Sequence, residues 1–302
     1  MWFRNLVVYR LPAPWAIDSE AFAERLAGRA LPPCGAIEAE TRGWVPPVKG
    51  GSYLHVIGGQ WLIRLGSEHK LLPSSVVKQF VEDRAIELEE QQGFKPGRRQ
   101  LRELKERVTD ELLPRAFVRR RSEWAWIDPV DGWLVVDAAS DARAEAIVEM
   151  LRDTLDELPL RRFDTERSPC SAMTEWVAEG DAPAGFTVDR ELELRAPDEE
   201  KATVRYLRHD LEGEEIAAHI RAGKRATRLA MTWSDRVSFV LADSGHLRRL
   251  AFLDVVKESL DGTSGDGDAE FAAQFALMTG ELRRMLPAVA EALGGERAVD
   301  VA

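Results

Sequence analysis

The sequence predicts an α+β fold built on mainly antiparallel sheets, with a helical hairpin projecting from the sheet-based body. Short segments of alternating apolar and polar residues recur between Gly- and Pro-rich turns. Two helical segments flank a Gly/Pro break. The regular β–α alternation of a doubly wound parallel sheet is missing. At 302 residues, 45% hydrophobic and 31% charged, the chain can bury a sizeable core and reads as a soluble protein of two or three lobes.

The elements follow in order. Met1–Arg10 reads as a strand, with no apolar core or small-residue cleavage site of a signal peptide. Asp18-Ser19-Glu20 opens a helix that places Phe22, Leu26 and Ala30 on one face. Gly43-Trp44-Val45-Pro46-Pro47 is expected to stop regular structure. Strands near Ser52–Ile57 and Gln60–Leu65 are joined by Gly58-Gly59, a hairpin signal. A helix opens at Pro73-Ser74-Ser75, with Val76, Val77, Phe80, Val81, Ile86 and Leu88 as its apolar stripe. Gly93 and Pro96-Gly97 end it, and a second helix over Arg98–Leu112 keeps Leu101, Leu104, Val108 and Leu112 on one side.

Pro114 closes the hairpin. Phe117–Asp128 and Gly132–Asp137 pair as strands, and Ala142–Leu158 is an amphipathic helix. Strands are expected near 190–195, 203–208, 226–232, 236–242 and 247–252, helices at 211–221 and 268–293, and a flexible acidic loop at Gly262–Gly267. Arg228 is expected to share a strand face with Ala226 and Ala230. The implied division is a sheet-based body of residues 1–72 and 115–165, a projecting hairpin at 73–114, and a C-terminal α+β domain at 166–302.

Charge carries the functional signal. The chain is net −11, yet Lys95–Arg121 holds ten basic and four acidic residues. Residues 129–200 are net −12 and 201–253 net +4. Segregation of this kind lets one face hold a polyanion while the rest of the surface repels it. The basic candidates are Arg98, Arg99, Arg102, Arg115, Arg119, Arg120 and Arg121, then Arg205, Arg208, Arg221, Lys224, Arg225, Arg228, Arg248 and Arg249. Alternation puts Arg119 and Arg121 on one face of their strand, with Arg120, Trp124 and Trp126 on the other. No recognition helix stands out, so phosphate-backbone contact is the more economical expectation.

Other chemistry is thinner. Walker, dinucleotide-binding, nucleophile-elbow and zinc-protease signatures are lacking, and no catalytic residue, cofactor or metal is expected. Asp128, Asp131, Asp137 and Asp141 could hold Mg²⁺ for a structure-specific nuclease, or could simply sit at strand ends and a helix cap. Of nine tryptophans, Trp2, Trp44, Trp61 and Trp133 lie in apolar runs and read as core rather than as base-stacking platforms. Cys34 and Cys170 are isolated, as in a reducing cytosol, and no apolar run reaches membrane-spanning length.

Several short motifs occur in a fixed order. They are Trp2-Phe3 with Asn5-Leu6 and Tyr9-Arg10, Pro33-Cys34-Gly35, Gly43-Trp44-Val45-Pro46-Pro47, Leu72-Pro73-Ser74 with Val77-Lys78-Gln79, and Leu112-Leu113-Pro114-Arg115-Ala116-Phe117. Trp126-Ile127-Asp128, Thr174-Glu175-Trp176-Val177, Ala222-Gly223-Lys224 and Leu277-Met278-Thr279-Gly280-Glu281-Leu282 follow. Each is weak alone. Together, from residue 2 to about 296, they resemble the RdgC family of bacterial recombination-associated proteins.

The resemblance implies a non-enzymatic, cytoplasmic, nucleoid-associated protein. It implies a homodimer closed into a ring through whose basic hole duplex DNA passes. It further implies binding of double- and single-stranded DNA with little sequence preference, and restraint of RecA-promoted strand exchange. The matching motifs make Lys78, Arg115, Arg119, Lys224 and Arg228 the first DNA-contact candidates, with Arg205 and Arg208 next. Phe117 matches an aromatic at a dimer contact, its alternative being a core aromatic at a strand start. The family pattern is more basic near position 251, where this chain has Ala251, and Arg120 and Arg121 are expected to compensate. The alternative functions are the nuclease and an adaptor that binds recombinase directly.

Overall fold

A computed structural model describes residues 1–258 and 267–297. The expected acidic loop at 262–267 lies outside them except for Gly267. The elements, in chain order, are β1 (Leu6–Arg10), α1 (Ser19–Gly28), β2 (Glu40–Trp44), β3 (His55–Ile57), β4 (Gln60–Leu71), α2 (Ser74–Gln92) and α3 (Arg98–Leu112). After a 3₁₀ turn at Leu113–Arg115 come β5 (Phe117–Asp128), β6 (Trp133–Asp137), α4 (Asp141–Thr154), β7 (Arg161–Arg162) and α5 (Pro169–Glu179). The remainder is β8 (Phe186–Arg195), β9 (Thr203–Leu207), α6 (Glu214–Arg221), β10 (Arg225–Trp233), β11 (Val237–Ala242), β12 (Leu247–Phe252), α7 (Asp254–Lys257) and α8 (Gly267–Ala292).

The strands form one antiparallel sheet in the order β2-β4-β5-β6-β1-β12-β11-β10-β8-β9, with β3 on β4 and β7 on β1. The α+β expectation holds, with one sheet in place of several. Its seam is the β1–β12 junction, where Leu6 opposite Leu247 is the single registered pair.

Alternation sorts the side chains into two cores. On one side Leu6, Val8, Trp126, Val135, Leu192, Leu229, Leu241 and Leu247 pack beneath α5, α6 and α8. On the other, Val7, Tyr9, Ile63, Leu65, Ala125, Ile127, Leu134 and Val136 pack beneath α1 and α4. Fully burying such aliphatic side chains is worth about 1.5–3 kcal/mol each before entropy is counted. On this second side, the β8–β12 half of the sheet carries Glu193, Arg205, Arg228 and other polar or charged residues.

Several expectations need correction. The helix after Asp18 ends at Gly28, so Ala30 leaves its face and bridges Trp44 instead. Glu40–Trp44 is a strand although prolines follow at once, because Pro46 and Pro47 lie beyond its last ladder pair, Trp44 with Leu65. A Cβ at Gly43 would fall 2.4 Å from the Leu31 backbone, so only glycine lets these segments pass. The strand from Gln60 runs on to Leu71, and the helix from Asp141 stops at Thr154. Helix α5 had not been expected. Its Ser168 N-cap, Pro169 in the first turn and left-handed Gly180 C-cap were its signal. Gly58 and Gly59 both have positive φ, as the tight β3–β4 turn requires.

Helices α2 and α3 form the expected hairpin, with Val77 and Val108 buried between or beneath them. The rest of the expected α2 stripe is only partly covered: Val81 and Leu88 are half-buried, while Val76, Phe80 and Ile86 face solvent in the single chain. No helix among the described residues is long and apolar enough to cross a membrane.

Candidate nucleic-acid interface

The basic residues separate into groups with different electrostatic fates. On β5, Arg119 and Arg121 lie opposite His69 and Ser67 of β4. They line a groove of about 480 Å³ with Arg42, His69, Arg143, Glu40 and Glu123. Glu40 is engaged by Arg42 at 2.7 Å, and Glu123 lies 3.9 Å from Arg143. Arg119 and Arg121 themselves form no ion pair among the described residues, so their charge remains available. Burial raises the Glu123 carboxyl above its ordinary value, with Arg143 and Arg121 opposing the shift.

Arg120 points to the other side of the sheet, as alternation predicts. Its Nε donates to the buried Glu68, which also accepts the Cys34 backbone N–H. That backbone hydrogen bond, with help from Arg120, holds Glu68 below the ordinary carboxylate range despite its burial. Arg120 is thus tied through its Nε to Glu68, although its side chain stays 83% exposed.

The second group is centred on Glu193, only 3% exposed. Its carboxylate accepts from Arg195 Nη2 at 2.9 Å, Arg205 Nε at 2.6 Å and the Thr227 hydroxyl at 2.8 Å, and Arg228 Nη1 lies 3.8 Å away. Burial alone would raise this carboxyl. The Thr227 and Arg205 hydrogen bonds and the neighbouring guanidinium charges outweigh it and keep Glu193 ionised. A bulge in β10 makes the arrangement: Ala226 opposes Leu194, but Arg228 opposes Glu193. This corrects the expected face. Ala226 joins the core, while Thr227 and Arg228 both reach Glu193.

The hairpin cations are less free than their clustering implies. Lys78 pairs with Glu82, Arg99 with Glu103 and Arg102 with Glu106, all one helical turn apart. Such exposed pairs are worth only about 0.3–0.5 kcal/mol and leave the cations exchangeable. Arg98, Arg115, Arg208 and the half-buried Lys224 form no ion pair among the described residues. Arg208 lines a shallow groove with Arg249 and Glu191. Thus Arg119 joins Arg121, and Arg205 joins Arg228. Lys78, Arg98, Arg99, Arg102, Arg115, Arg208 and Lys224 stand outside both groups. Arg42 and Arg143 were missed because each joins its group only through a contact between elements distant in the chain, and Arg195 because nothing in the sequence marks Glu193, two residues earlier on the same strand, as the buried centre.

Phe117 is 83% exposed, which removes the core alternative. Its cross-strand partner Leu71 and nearby Val118 are exposed as well. All nine tryptophans are buried or half-buried in this chain, so none is an open stacking platform.

The four aspartates do not converge. Asp128, fully buried, caps the β5–β6 turn through the N–H groups of Val130 and Asp131. Arg283 Nε lies 2.7 Å from its second oxygen and also donates to Asp131. Asp137, at the far end of the β5–β6 ladder, accepts from the backbone of Arg4 and Asn5. Asp141 is paired with Arg162 and His246. Among the described residues no cluster of three or more His, Cys, Asp or Glu could hold a metal ion.

Fold and site together define an α+β protein with one long antiparallel sheet, one side of which carries two separate arginine groups on an otherwise acidic chain. The family model described as "Putative exonuclease, RdgC" matches residues 1–296. The chain belongs to the RdgC family. It is 52% identical over 298 residues to the recombination-associated protein RdgC of Herminiimonas arsenicoxydans, covering 99% of both chains. It is 53% identical to that of Dechloromonas aromatica, with 98% of each chain covered. The relative from Cupriavidus pinatubonensis is 54% identical, with 98% of this chain and 99% of the relative covered.

Proposed function

We propose that this chain is a non-catalytic, sequence-independent DNA-binding protein whose homodimer closes as a ring around duplex DNA and restrains RecA-mediated recombination. The observation that carries this is the placement of Arg119, Arg121, Arg205 and Arg228 on one side of a single sheet in a chain of net −11. Two such acidic chains hold a polyanion only if their cations line an enclosed surface and their acids face away. A two-fold ring with two contacts per subunit meets that condition. Exposed Phe117, Leu71 and Val118 supply apolar surface for one contact. The same cations serve single strands, and the protein acts in the cytoplasm on the nucleoid.

The family description favours an exonuclease as a second reading. Against it, Asp128 and Asp137 stand at opposite ends of a strand pair, held by Arg283 and by backbone amides. Cleavage that requires Mg²⁺ and both aspartates would replace the ring reading with the nuclease. Inhibition of RecA that survives charge reversal at Arg119, Lys224 and Arg228 would replace it with the adaptor.

The direct test is fluorescence anisotropy across a salt series on linear and covalently closed circular duplex. With about 6–10 phosphates engaged, affinity falls roughly 10³–10⁵-fold between about 50 and 200 mM salt. Complexes that outlast high salt on circles but slide from linear ends support encirclement. A shallow slope with no difference between the two substrates overturns it.

A further inference from the structure

We infer that Glu193 is a positioning residue that builds a phosphodiester site from Arg195, Arg205 and Arg228. The inference rests on the DNA-binding reading and deepens it. An acidic side chain beneath a DNA-binding face should weaken binding by simple charge. Here the geometry argues the reverse. Glu193 is buried and engaged from several directions, while its three arginines are 37%, 61% and 45% exposed. Arg205 spends its Nε on Glu193, and neither of its terminal Nη groups has a partner among the described residues. Arg228 touches the carboxylate only at 3.8 Å. A guanidinium carries five N–H donors, so each arginine keeps donors for a second anion.

One carboxylate beneath three cations leaves a local surplus of positive charge. It also reduces the rotamer freedom that long arginine side chains would otherwise lose on binding. The β10 bulge is the device, since it turns the consecutive residues Thr227 and Arg228 onto the same carboxylate. Arg225, opposite Arg195 in the ladder, adds a further exposed cation at its edge. The ligand class is a phosphodiester backbone, recognised by forked donors without base contact.

The test is Glu193→Gln, which adds one unit of positive charge to the face while weakening its hold on the arginines. Affinity for duplex DNA should fall about tenfold and the salt slope shrink by about one phosphate contact. In an R205A/R228A background the same substitution should cost nothing further, because Glu193 acts through those side chains. Thr227→Val, which changes no charge, should produce a smaller loss in the same direction and covers the case in which E193Q fails to fold. Equal or tighter binding by folded E193Q, or by T227V, overturns the inference while leaving the DNA-binding reading intact. A wild-type protein that binds DNA without a steep salt slope overturns both.

Discussion

Arg120 and Glu68 are cross-strand partners, with Arg120 Nε donating to Glu68 Oε1 at 2.8 Å on the side of the sheet opposite Arg119 and Arg121. Three consecutive arginines that look equivalent in the sequence therefore divide into one paired with a buried carboxylate on one side of the sheet and two without an ion pair among the described residues on the other. The R119A/R121A double variant should lower the DNA salt slope by about one unit per lost phosphate contact. R120A should leave the slope close to wild type and cost about 1 kcal/mol of stability, because Glu68 keeps the Cys34 amide. Anisotropy and thermal melts of the two variants separate these effects.

Arg283 holds the buried Asp128 and the neighbouring Asp131 from α8, tying that helix to the β5–β6 turn. R283A leaves the buried Asp128 carboxylate with only its Val130 and Asp131 amides and should cost about 1–3 kcal/mol in chemical denaturation. A loss below about 1 kcal/mol, the scale of a surface pair, would mean that Asp128 is not held by this contact.

Phe117, at 83% exposure, contributes little to the fold of one chain. F117S should leave the fold of the single chain intact and weaken the proposed dimer by about 2 kcal/mol, or roughly 30-fold in dissociation constant. Sedimentation over a concentration series reads the shift. Association unaltered by the substitution would remove Phe117 from the proposed contact.

His246 sits at the sheet seam with Nε2 3.1 Å from Asp141 Oδ1, and with Arg162 and Arg248 beside it. Burial holds it below the ordinary imidazole value; Asp141 opposes this, and the two arginines reinforce it. The unfolded chain therefore takes up the proton first, and folded stability falls as pH drops below about 6.5 toward the lower folded value. The melting temperature of wild type should fall more between about pH 7.5 and pH 5.5 than that of H246Q. Identical pH profiles would mean that another group carries the dependence.

The strands and the hairpin were legible because their signals are local. Phe117–Asp128 and Arg98–Leu112 begin and end where alternation, helical periodicity and the Pro96-Gly97 and Pro114 breaks place them. Helix α5 was passed over although its caps were present, and β2 was masked by the prolines that follow it. The candidate site was legible only as a list of cations. Nothing near Glu193 distinguishes it from Glu191 two residues earlier, yet one is buried beneath three arginines and the other is paired with Arg249.

By itself, the sequence determined the element types, the segregation of basic from acidic segments and the family, since each is written in contiguous residues or in short motifs in fixed order. Only the tertiary structure decided which charges remain free. Arg205, Arg228 and Arg195 meet at Glu193 because strand register and one β10 bulge bring them there from three strands. Arg120 is paired because the β4–β5 ladder sets it opposite the buried Glu68, on the side away from Arg119 and Arg121. Electrostatic interaction between exposed charges is screened over about 10 Å of space, and separation along the chain does not measure that distance.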